Sequence, residues 1–365
     1  MKFFDLSPQK NLKKKILKNF NKILKDGSYI LGENVYALER KLKEYTRSKY
    51  CLTVSSGTDA LLVSLMSLEL KKNDEIITTA FSYISTAEVI LNVGCKPIFV
   101  DVDKETSLIN VSEIKKKITS RTKAIIVVSL FGIAQDLQPL KKFLKKKNIP
   151  IIEDAAQSFG TKLGKKFSCN LTDIGCTSFF PTKSLGAYGD AGAIFTNNKK
   201  IYNNCVSIRQ HGQIRKYNST RLGLSARMDE IQAMIILEKL KIFNSELNLR
   251  KKLAERYNHF FKKNKIKHFI NFINGKDKNL DRGYSYYSIL FKNRDRVISY
   301  LKKNNIPTNI YYPIILSKQK TFSKYSKGNF KNAEFLSKHI LSIPLHPYMK
   351  PSEQDYIFKI FKKFN

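Results

Sequence analysis

The fold is decided by the stretch AIIVVSLFGIAQDLQPLKKFLKKKNIPIIED, residues 124 to 154. Its two ends, Ala124 to Ser129 and Ile149 to Glu153, are short apolar runs typical of buried strands. Between them, Leu137 to Lys147 has the pattern of a helix. A strand, a helix and a second strand in this order predict two parallel strands joined by a crossover helix.

The same alternation continues on both sides of this unit. Five further apolar runs predict strands, at Tyr50 to Val54, Glu75 to Thr79, Lys96 to Val100, Gly175 to Phe180 and Ala191 to Thr196. Helical stretches such as Asp59 to Leu68 lie between them. We therefore expect an α/β protein with a mostly parallel seven-stranded sheet covered by helices on both faces.

The character of the chain changes near residue 240. Long charged helices are followed by apolar Tyr284 to Phe291, a helix at Arg294 to Lys303 and an expected strand at Thr308 to Tyr312. This order predicts a smaller C-terminal α+β domain, with one helix, Asp229 to Asn248, spanning the boundary. We place a large domain, including the N-terminal helices, at 1–240 and a small domain at 241–365.

The composition describes a basic globular protein. The 365 residues are 42% hydrophobic and carry a formal net charge of +36, but the lysines are spread along the whole chain. Nucleic-acid binding calls for clustered basic residues with interleaved aromatic residues, and no such cluster occurs. We therefore expect a solvated basic surface and no nucleic-acid partner.

The remaining bulk features point to the cytoplasm. Five cysteines without CxxC spacing argue against a disulfide framework. The N-terminus has no signal-peptide pattern, and no window of the chain reaches 18 uninterrupted apolar residues. We expect a cytoplasmic protein without a membrane partner, and no metal site.

Three polar segments follow predicted strands, where ligands collect in parallel α/β sheets. Glu153 and Asp154 end a buried strand, although such an aspartate can also simply cap the next helix. Lys183 lies five residues after Ser178, across an apolar run. A charged lysine near the interior of a sheet costs desolvation energy, and forming an imine would remove this charge. The segment Ser55 to Ala60 follows a strand and opens a helix, which suits anion binding by backbone N–H groups.

Five motifs in order resemble one family. They are GSYILG (27–32), SSGTDAL (55–61), EDAAQSFG (153–160), SFFPTKSLGAYGDAGA (178–193) and ARMDEIQA (226–233). Together they resemble the DegT/DnrJ/StrS sugar aminotransferases, and the likeness runs from about Phe4 to Tyr348. The resemblance implies the fold type I architecture of pyridoxal-phosphate enzymes, with pyridoxal 5'-phosphate as cofactor and homodimers that share their active sites.

The resemblance also implies roles for individual residues. Lys183 matches the lysine that holds the cofactor and transfers protons, and Asp154 matches the carboxylate that pairs with the pyridine nitrogen. Gln157 matches the residue beside the phenolic oxygen of the cofactor. Tyr83 matches an aromatic residue that stacks on the ring, although core packing is an alternative for it. The expected phosphate contacts are Gly57, Thr58 and Ser178.

Other positions are expected to contact the substrate or to depart from the family pattern. Arg227, Tyr312 and His346 are the candidate substrate-binding residues, although Arg227 could instead pair with Asp229 or Glu230. Ser225 stands where relatives often carry an asparagine that reaches the phosphate of the neighbouring subunit, so its shorter hydroxyl puts that contact in doubt. Phe131 replaces a histidine found in some relatives.

The resemblance implies transfer of an amino group from L-glutamate to a nucleotide-linked keto sugar. The segments CNLTDIGCTSFFPTKSLGAYGD (169–190) and RQHGQIRKY (209–217) favour carbon 3 of UDP-2-acetamido-2-deoxy-3-oxo-D-glucuronate, a precursor of surface polysaccharides such as the O-antigen of lipopolysaccharide. A dTDP-linked 3-keto hexose and a UDP-linked 4-keto hexose stay open as alternatives. So does a non-catalytic basic regulatory or nucleic-acid-binding protein, although the Lys183, Asp154 and Gln157 set would then have no purpose.

Overall fold

The structure is a computed structural model and describes residues 1–7 and 10–364. Its strands are β1 Tyr50–Val54, β2 Glu75–Thr79, β3 Lys96–Val100, β4 Thr122–Val128, β5 Ile151–Asp154, β6 Lys162–Leu163, β7 Lys166–Phe167, β8 Ile174–Ser178, β9 Gly192–Thr196, β10 Gln213–Arg215, β11 Asn218–Ser219, β12 Phe269–Phe272, β13 Leu280–Asp281, β14 Tyr287–Phe291 and β15 Ile340–Ile343. Its α-helices are α1 Lys10–Asp26, α2 Glu33–Thr46, α3 Gly57–Met66, α4 Ser85–Asn92, α5 Val111–Lys117, α6 Gln138–Leu144, α7 Lys199–Ile208, α8 Glu230–Leu240, α9 Phe243–Lys263, α10 Arg294–Lys303, α11 Lys331–His339 and α12 Pro351–Lys362.

The predicted seven-stranded sheet is present, in the order β1-β9-β8-β5-β4-β2-β3. Strands β8, β5, β4, β2 and β3 pair in parallel, and β9 runs antiparallel to both of its neighbours, β1 and β8. Every residue of β2 and β9 is buried, because helices cover both faces of the sheet. The α/β expectation with a mostly parallel sheet is confirmed.

Three strands of this sheet end at the edge that matters for function. β1, β5 and β8 run in the same direction and end at Val54, Asp154 and Ser178. Their carboxyl ends therefore meet at one edge, where the loops that follow them create a crevice. The first of these loops leads directly into α3.

The C-terminal part contains a second, antiparallel sheet in the order β12-β14-β15. The strand expected at Thr308 to Tyr312 is wrong, because this segment contributes only an isolated bridge between Asn309 and Ser342. The position beside β14 is taken by β15, which follows α11. Tyr311 and Tyr312 line the crevice of the large sheet instead.

The single helix expected at Asp229 to Asn248 is also wrong. The structure has two helices here, α8 and α9, separated at residues 241–242. The break lets Phe243 turn into a cluster with Phe159, at 5.5 Å between ring centroids, while α8 packs against α1 through Met234 and Ile235. The proposed domain boundary at 240/241 falls at this break and stays a prediction.

Two further expectations concern the cysteines and membrane spans. All five cysteines are buried and free. Within residues 1–7 and 10–364, no helix combines the length and the apolar character that crossing a membrane requires.

Candidate active site

A cavity of about 590 Å³ lies at the carboxyl edge of the large sheet. Its walls come from the β1–α3 loop, the ends of β5 and β8, the loop after β8, and residues 310–312 of the C-terminal part. It brings together eight of the predicted site residues: Gly57, Thr58, Tyr83, Asp154, Gln157, Ser178, Lys183 and Tyr312. Residues that are distant in sequence thus share one concave site.

The two carboxylates at the end of β5 have separate environments. Successive side chains of a strand point to opposite faces, so only one of them reaches the cavity. Glu153 accepts hydrogen bonds from the hydroxyls of Ser129 and Ser168 (2.7 and 2.6 Å) and from the Cys169 N–H (2.8 Å). Asp154 lines the cavity. Glu153 is therefore a satisfied internal group, and Asp154 is the functional candidate.

Asp154 is 6% exposed and is held from two sides. Its Oδ2 accepts a hydrogen bond from the Thr86 hydroxyl (2.8 Å), and its Oδ1 accepts one from the Ala156 N–H (3.2 Å). Burial raises the pKa of Asp154 above its ordinary value, while these two hydrogen bonds and the charge of Lys183 act in the opposite direction. No helix follows Asp154, so the helix-cap interpretation is wrong.

Gln157 has a fixed orientation in the cavity wall. Its Oε1 accepts a hydrogen bond from the Phe131 N–H (2.9 Å), and its amide nitrogen donates to the Tyr312 hydroxyl (2.8 Å). Phe131, which departs from some relatives, is fully buried in a left-handed backbone conformation (φ 55°) and contributes its backbone here. Burial raises the pKa of Tyr312 well above its ordinary value, so its hydroxyl stays protonated.

The N-terminus of α3 forms an anion cradle beside Ser178. Ser56 caps this helix, and its Oγ accepts a hydrogen bond from the Asp59 N–H (3.0 Å). Gly57 must be a glycine, because a Cβ there would lie 2.6 Å from Cβ of Ser178. Backbone N–H groups at this helix end and the nearby hydroxyls of Thr58 and Ser178 suit a phosphate group.

Lys183 lies in the loop after β8 and lines the cavity. The side chain is half-buried, and among residues 1–7 and 10–364 its ammonium has no hydrogen bond or ion pair. Its charge nevertheless influences the Asp154 carboxyl. An amine of this kind is available for a covalent bond to a ligand in the cavity.

Tyr83 is 57% exposed and lines the cavity, so the core-packing alternative for it is wrong. Its ring lies 6.1 Å from the ring of Tyr312, measured between centroids. The exposed ring face is available for stacking on a planar ligand.

Three predicted site residues lie outside this cavity. Ser225 is exposed and accepts a hydrogen bond from the Arg227 guanidinium (2.7 Å). Arg227 makes no ion pair with Asp229 or Glu230 among the described residues, because Glu230 binds the N–H groups of Asn34 and Val35 at the start of α2. His346 lines a second, smaller cavity that adjoins the first at Lys183. The roles of these three residues stay predictions.

Two polar residues of the site were missed by the sequence reasoning. Thr86, on α4, fixes one oxygen of Asp154 and contacts the Ser82 hydroxyl (2.9 Å). Asp190 lines the cavity with an exposed carboxylate. Thr86 gave no local signal, since its role depends on a contact 68 residues away in sequence. Asp190 lies in the glycine-rich loop after Lys183, which was a usable signal.

The cavity suits pyridoxal phosphate. The cavity combines a phosphate cradle that excludes a Cβ, a buried carboxylate, and an amine that is unpaired among the described residues. The profile of the DegT/DnrJ/EryC1/StrS aminotransferases matches residues 10–362. The chain belongs to this family. It is a pyridoxal-phosphate-dependent aminotransferase, as the sequence predicted.

Two curated relatives of this family member cover almost its full length. One, from Pseudomonas aeruginosa, is a UDP-2-acetamido-2-deoxy-3-oxo-D-glucuronate aminotransferase; it is 40% identical over 96% of both chains. Another, from Geobacillus stearothermophilus, is named a pleiotropic regulatory protein; it is 34% identical and covers 99% of this chain and 97% of its own.

Solved structures agree with the fold and the cofactor. A DegT/DnrJ/EryC1/StrS aminotransferase from Brucella abortus is 34% identical, with a TM-score of 0.95 over 100% of this chain and 99% of its own. The NtdA structure from Bacillus subtilis contains pyridoxamine phosphate; it is 29% identical, with a TM-score of 0.88 over 97% of this chain and 82% of its own.

Proposed function

We propose that this aminotransferase moves an amino group from L-glutamate to carbon 3 of UDP-2-acetamido-2-deoxy-3-oxo-D-glucuronate. The observation that carries the proposal is the 40% identity, over 96% of both chains, to a relative named for this substrate. The cavity of about 590 Å³ is within the range that small-molecule sites occupy. The product feeds surface polysaccharides such as the O-antigen of lipopolysaccharide.

The residues of the cavity divide the chemistry among them. Bound pyridoxal phosphate supplies an electron sink for the carbon next to the donor's amino group. Asp154 would stabilise a positive charge at the ring nitrogen, Gln157 would lie beside the phenolic oxygen, and Tyr83 would stack on the ring. Lys183 would hold the cofactor, and once freed its amine would take a proton from the donor's α-carbon. The donor would leave as a 2-oxo acid, and the same groups acting in the reverse order would deliver its amino group to the keto sugar.

The proposal includes a homodimer with shared active sites. Ser225 and Arg227 lie outside the cavity of their own subunit. The Arg227 guanidinium donates a hydrogen bond to the Ser225 hydroxyl, and this pair lies at the surface. Each would contribute to the cavity of the neighbouring subunit, Ser225 at the phosphate and Arg227 at the substrate. The protein works in the cytoplasm, with no membrane or nucleic-acid partner.

The alternatives are distinguished by one assay. The enzyme is incubated with L-glutamate and a panel of UDP- and dTDP-linked keto sugars, and the products are analysed by mass spectrometry. We expect amination of the UDP-linked 3-oxo-glucuronate. If only a dTDP-linked 3-keto or a UDP-linked 4-keto hexose is aminated, that hexose is the substrate instead. If no sugar is aminated, the regulatory alternative is favoured.

A second test concerns recognition of the uronate carboxylate by Arg227. Burying that carboxylate requires a cationic partner with good geometry, and Arg227→Lys keeps the charge but loses the planar fork. We expect the half-reaction with the 3-oxo-glucuronate substrate to weaken by about 1–3 kcal/mol. The control is a neutral keto sugar, whose half-reaction should change little; an equal loss on both sugars would contradict this role.

A further inference from the structure

The second cavity shares three lining residues with the active-site cavity: Phe4, Thr182 and Lys183. It measures about 40 Å³ and extends from Lys183 toward α9 and the segment that follows β15. The two cavities therefore adjoin at Lys183.

Two buried side chains that line this cavity carry nitrogens without a hydrogen-bond partner among the described residues. His346 is 4% exposed, and neither of its ring nitrogens has a hydrogen-bond partner among the described residues. Arg250, on α9, is 5% exposed; one Nη donates to the Leu345 carbonyl oxygen (3.1 Å), and its Nε has no partner in the same part of the chain. Unpaired buried donors are costly, so a site with several of them calls for an acceptor.

Among the described residues Arg250 forms no ion pair, although the charge of Glu246 acts on its pKa. The cations that line it are Lys183, Lys239 and Arg250, and the carboxylates are Glu246 and Asp5. Glu246 accepts a hydrogen bond from the Tyr348 hydroxyl, and within residues 1–7 and 10–364 it forms no ion pair with any of these cations. Asp5 pairs with Lys2 and accepts a hydrogen bond from the Ser7 N–H.

The size and chemistry of the cavity restrict its occupant. A water needs about 10–15 Å³ of such space, so 40 Å³ admits a group of roughly three heavy atoms and excludes a sugar or a nucleotide. Burial and the charge of Arg250 lower the pKa of His346, against the opposite influence of Asp5, Glu353 and the Lys2 backbone, so its ring is neutral at neutral pH and one ring nitrogen carries an N–H. A carboxylate has three heavy atoms and accepts from several donors at once.

We propose that the second cavity is a subsite for a carboxylate of the amino donor, held by Arg250 and His346 while the donor's amine reaches Lys183. This inference rests on the proposed function, because an aminotransferase that uses glutamate must bind a dicarboxylic donor. It assigns the donor a binding group that is separate from Arg227.

The test uses the cofactor-loaded enzyme and two variants. Arg250→Lys keeps the charge but removes Nε, and His346→Phe removes the ring nitrogens at similar volume. Calorimetry measures binding of glutarate, a dicarboxylate without the reactive amine, and single-turnover absorbance follows the half-reactions with glutamate and with the amino-sugar product. We expect each variant to weaken glutarate binding and to raise the glutamate concentration for half-maximal rate by about tenfold or more.

The matched control is Arg256→Lys, the same change on the same helix, where the guanidinium contacts Gln354 and Asp355 outside the cavity. It should leave both measurements unchanged, and the amino-sugar half-reaction should stay within about twofold in Arg250→Lys. Unchanged glutarate binding in folded variants, or equal losses in both half-reactions, would contradict this subsite. If Arg250→Lys fails to fold, glutarate binding by His346→Phe tests the subsite alone.

Failure of the wild-type enzyme to aminate any sugar would contradict the proposed function but not this subsite, because glutarate binding tests the subsite separately.

Discussion

Glu153 and Asp154 are adjacent carboxylates with different roles, one internal and one at the cavity. Three hydrogen bonds satisfy Glu153 inside the protein, whereas Asp154 lines the cavity and is oriented by Thr86. The two carboxylates differ because successive side chains of β5 point to opposite faces of the sheet. Burial raises the pKa of both groups.

The electronic role of Asp154 predicts the behaviour of Asp154→Asn. The amide keeps the shape of the side chain but no longer favours a positive ring nitrogen. We expect the variant to fold and to bind pyridoxal phosphate, while turnover falls on the order of 10²–10⁴-fold. Steady-state assays and cofactor titration measure the two properties separately, and near-normal turnover would remove Asp154 from the mechanism.

The same substitution predicts a change in pH dependence. In the cofactor-free protein, the pKa of Asp154 is raised above 3.8, its ordinary value. Between pH 3.8 and this raised pKa, the folded protein keeps the Asp154 proton, whereas the unfolded chain has lost it. The folded state then binds more protons, so stability is lost as the pH rises from 3.8 through the raised pKa. Melting curves should show this decline more steeply in the wild type than in Asp154→Asn; parallel curves would contradict the raised pKa.

At the scale of elements, the N-terminus of α3 is built to approach β8 closely. Gly57→Ala would bring a Cβ to 2.6 Å from Cβ of Ser178 and push the helix end away from the phosphate position. We expect the dissociation constant for pyridoxal phosphate to rise by about tenfold or more, as for the loss of a charge-assisted hydrogen bond. Cofactor titration measures it.

The control for this prediction is Gly164→Ala. Gly164 has a positive φ of 59° with open space around it, so the added methyl strains the backbone but touches nothing. It should lower the melting temperature without changing cofactor affinity. Equal effects of both substitutions on affinity would show that Gly57 acts through stability alone.

The sequence predicted those elements whose pattern is local. All seven strands of the large sheet were found within about two residues, because each is a short apolar run between helices. Thr308 to Tyr312 also has a strand-like composition, but whether it pairs depends on β15 having already taken the place beside β14. The break between α8 and α9 likewise depends on the packing of Phe243 against Phe159, which no local pattern reveals.

The site divides in the same way. Lys183, Asp154, Gln157 and the Gly57 cradle belong to motifs that the sequence displays. Thr86 and Arg250 act through contacts between distant segments, so only the structure identifies them.

At the scale of the whole molecule, the predicted shared sites lead to a complementation test. Lys183→Ala and Arg227→Ala are each expected to inactivate both sites of their own homodimer. In a mixed dimer, one site would combine the intact Lys183 of one subunit with the intact Arg227 of the other. Random mixing after reversible dissociation should restore about a quarter of the wild-type activity per subunit. No recovery, with mixed dimers confirmed by differently tagged subunits, would contradict shared sites.

The central claim is that Lys183 holds the cofactor, and spectroscopy of the purified protein tests it most directly. The wild type with pyridoxal phosphate should show the visible absorbance of a covalent imine, and borohydride reduction followed by peptide mass spectrometry should place the cofactor on Lys183. Lys183→Ala should lose both signals, while Lys239→Ala, at the neighbouring cavity, should keep them. A cofactor that is reduced onto another lysine, with Lys183 unmodified, would contradict the account.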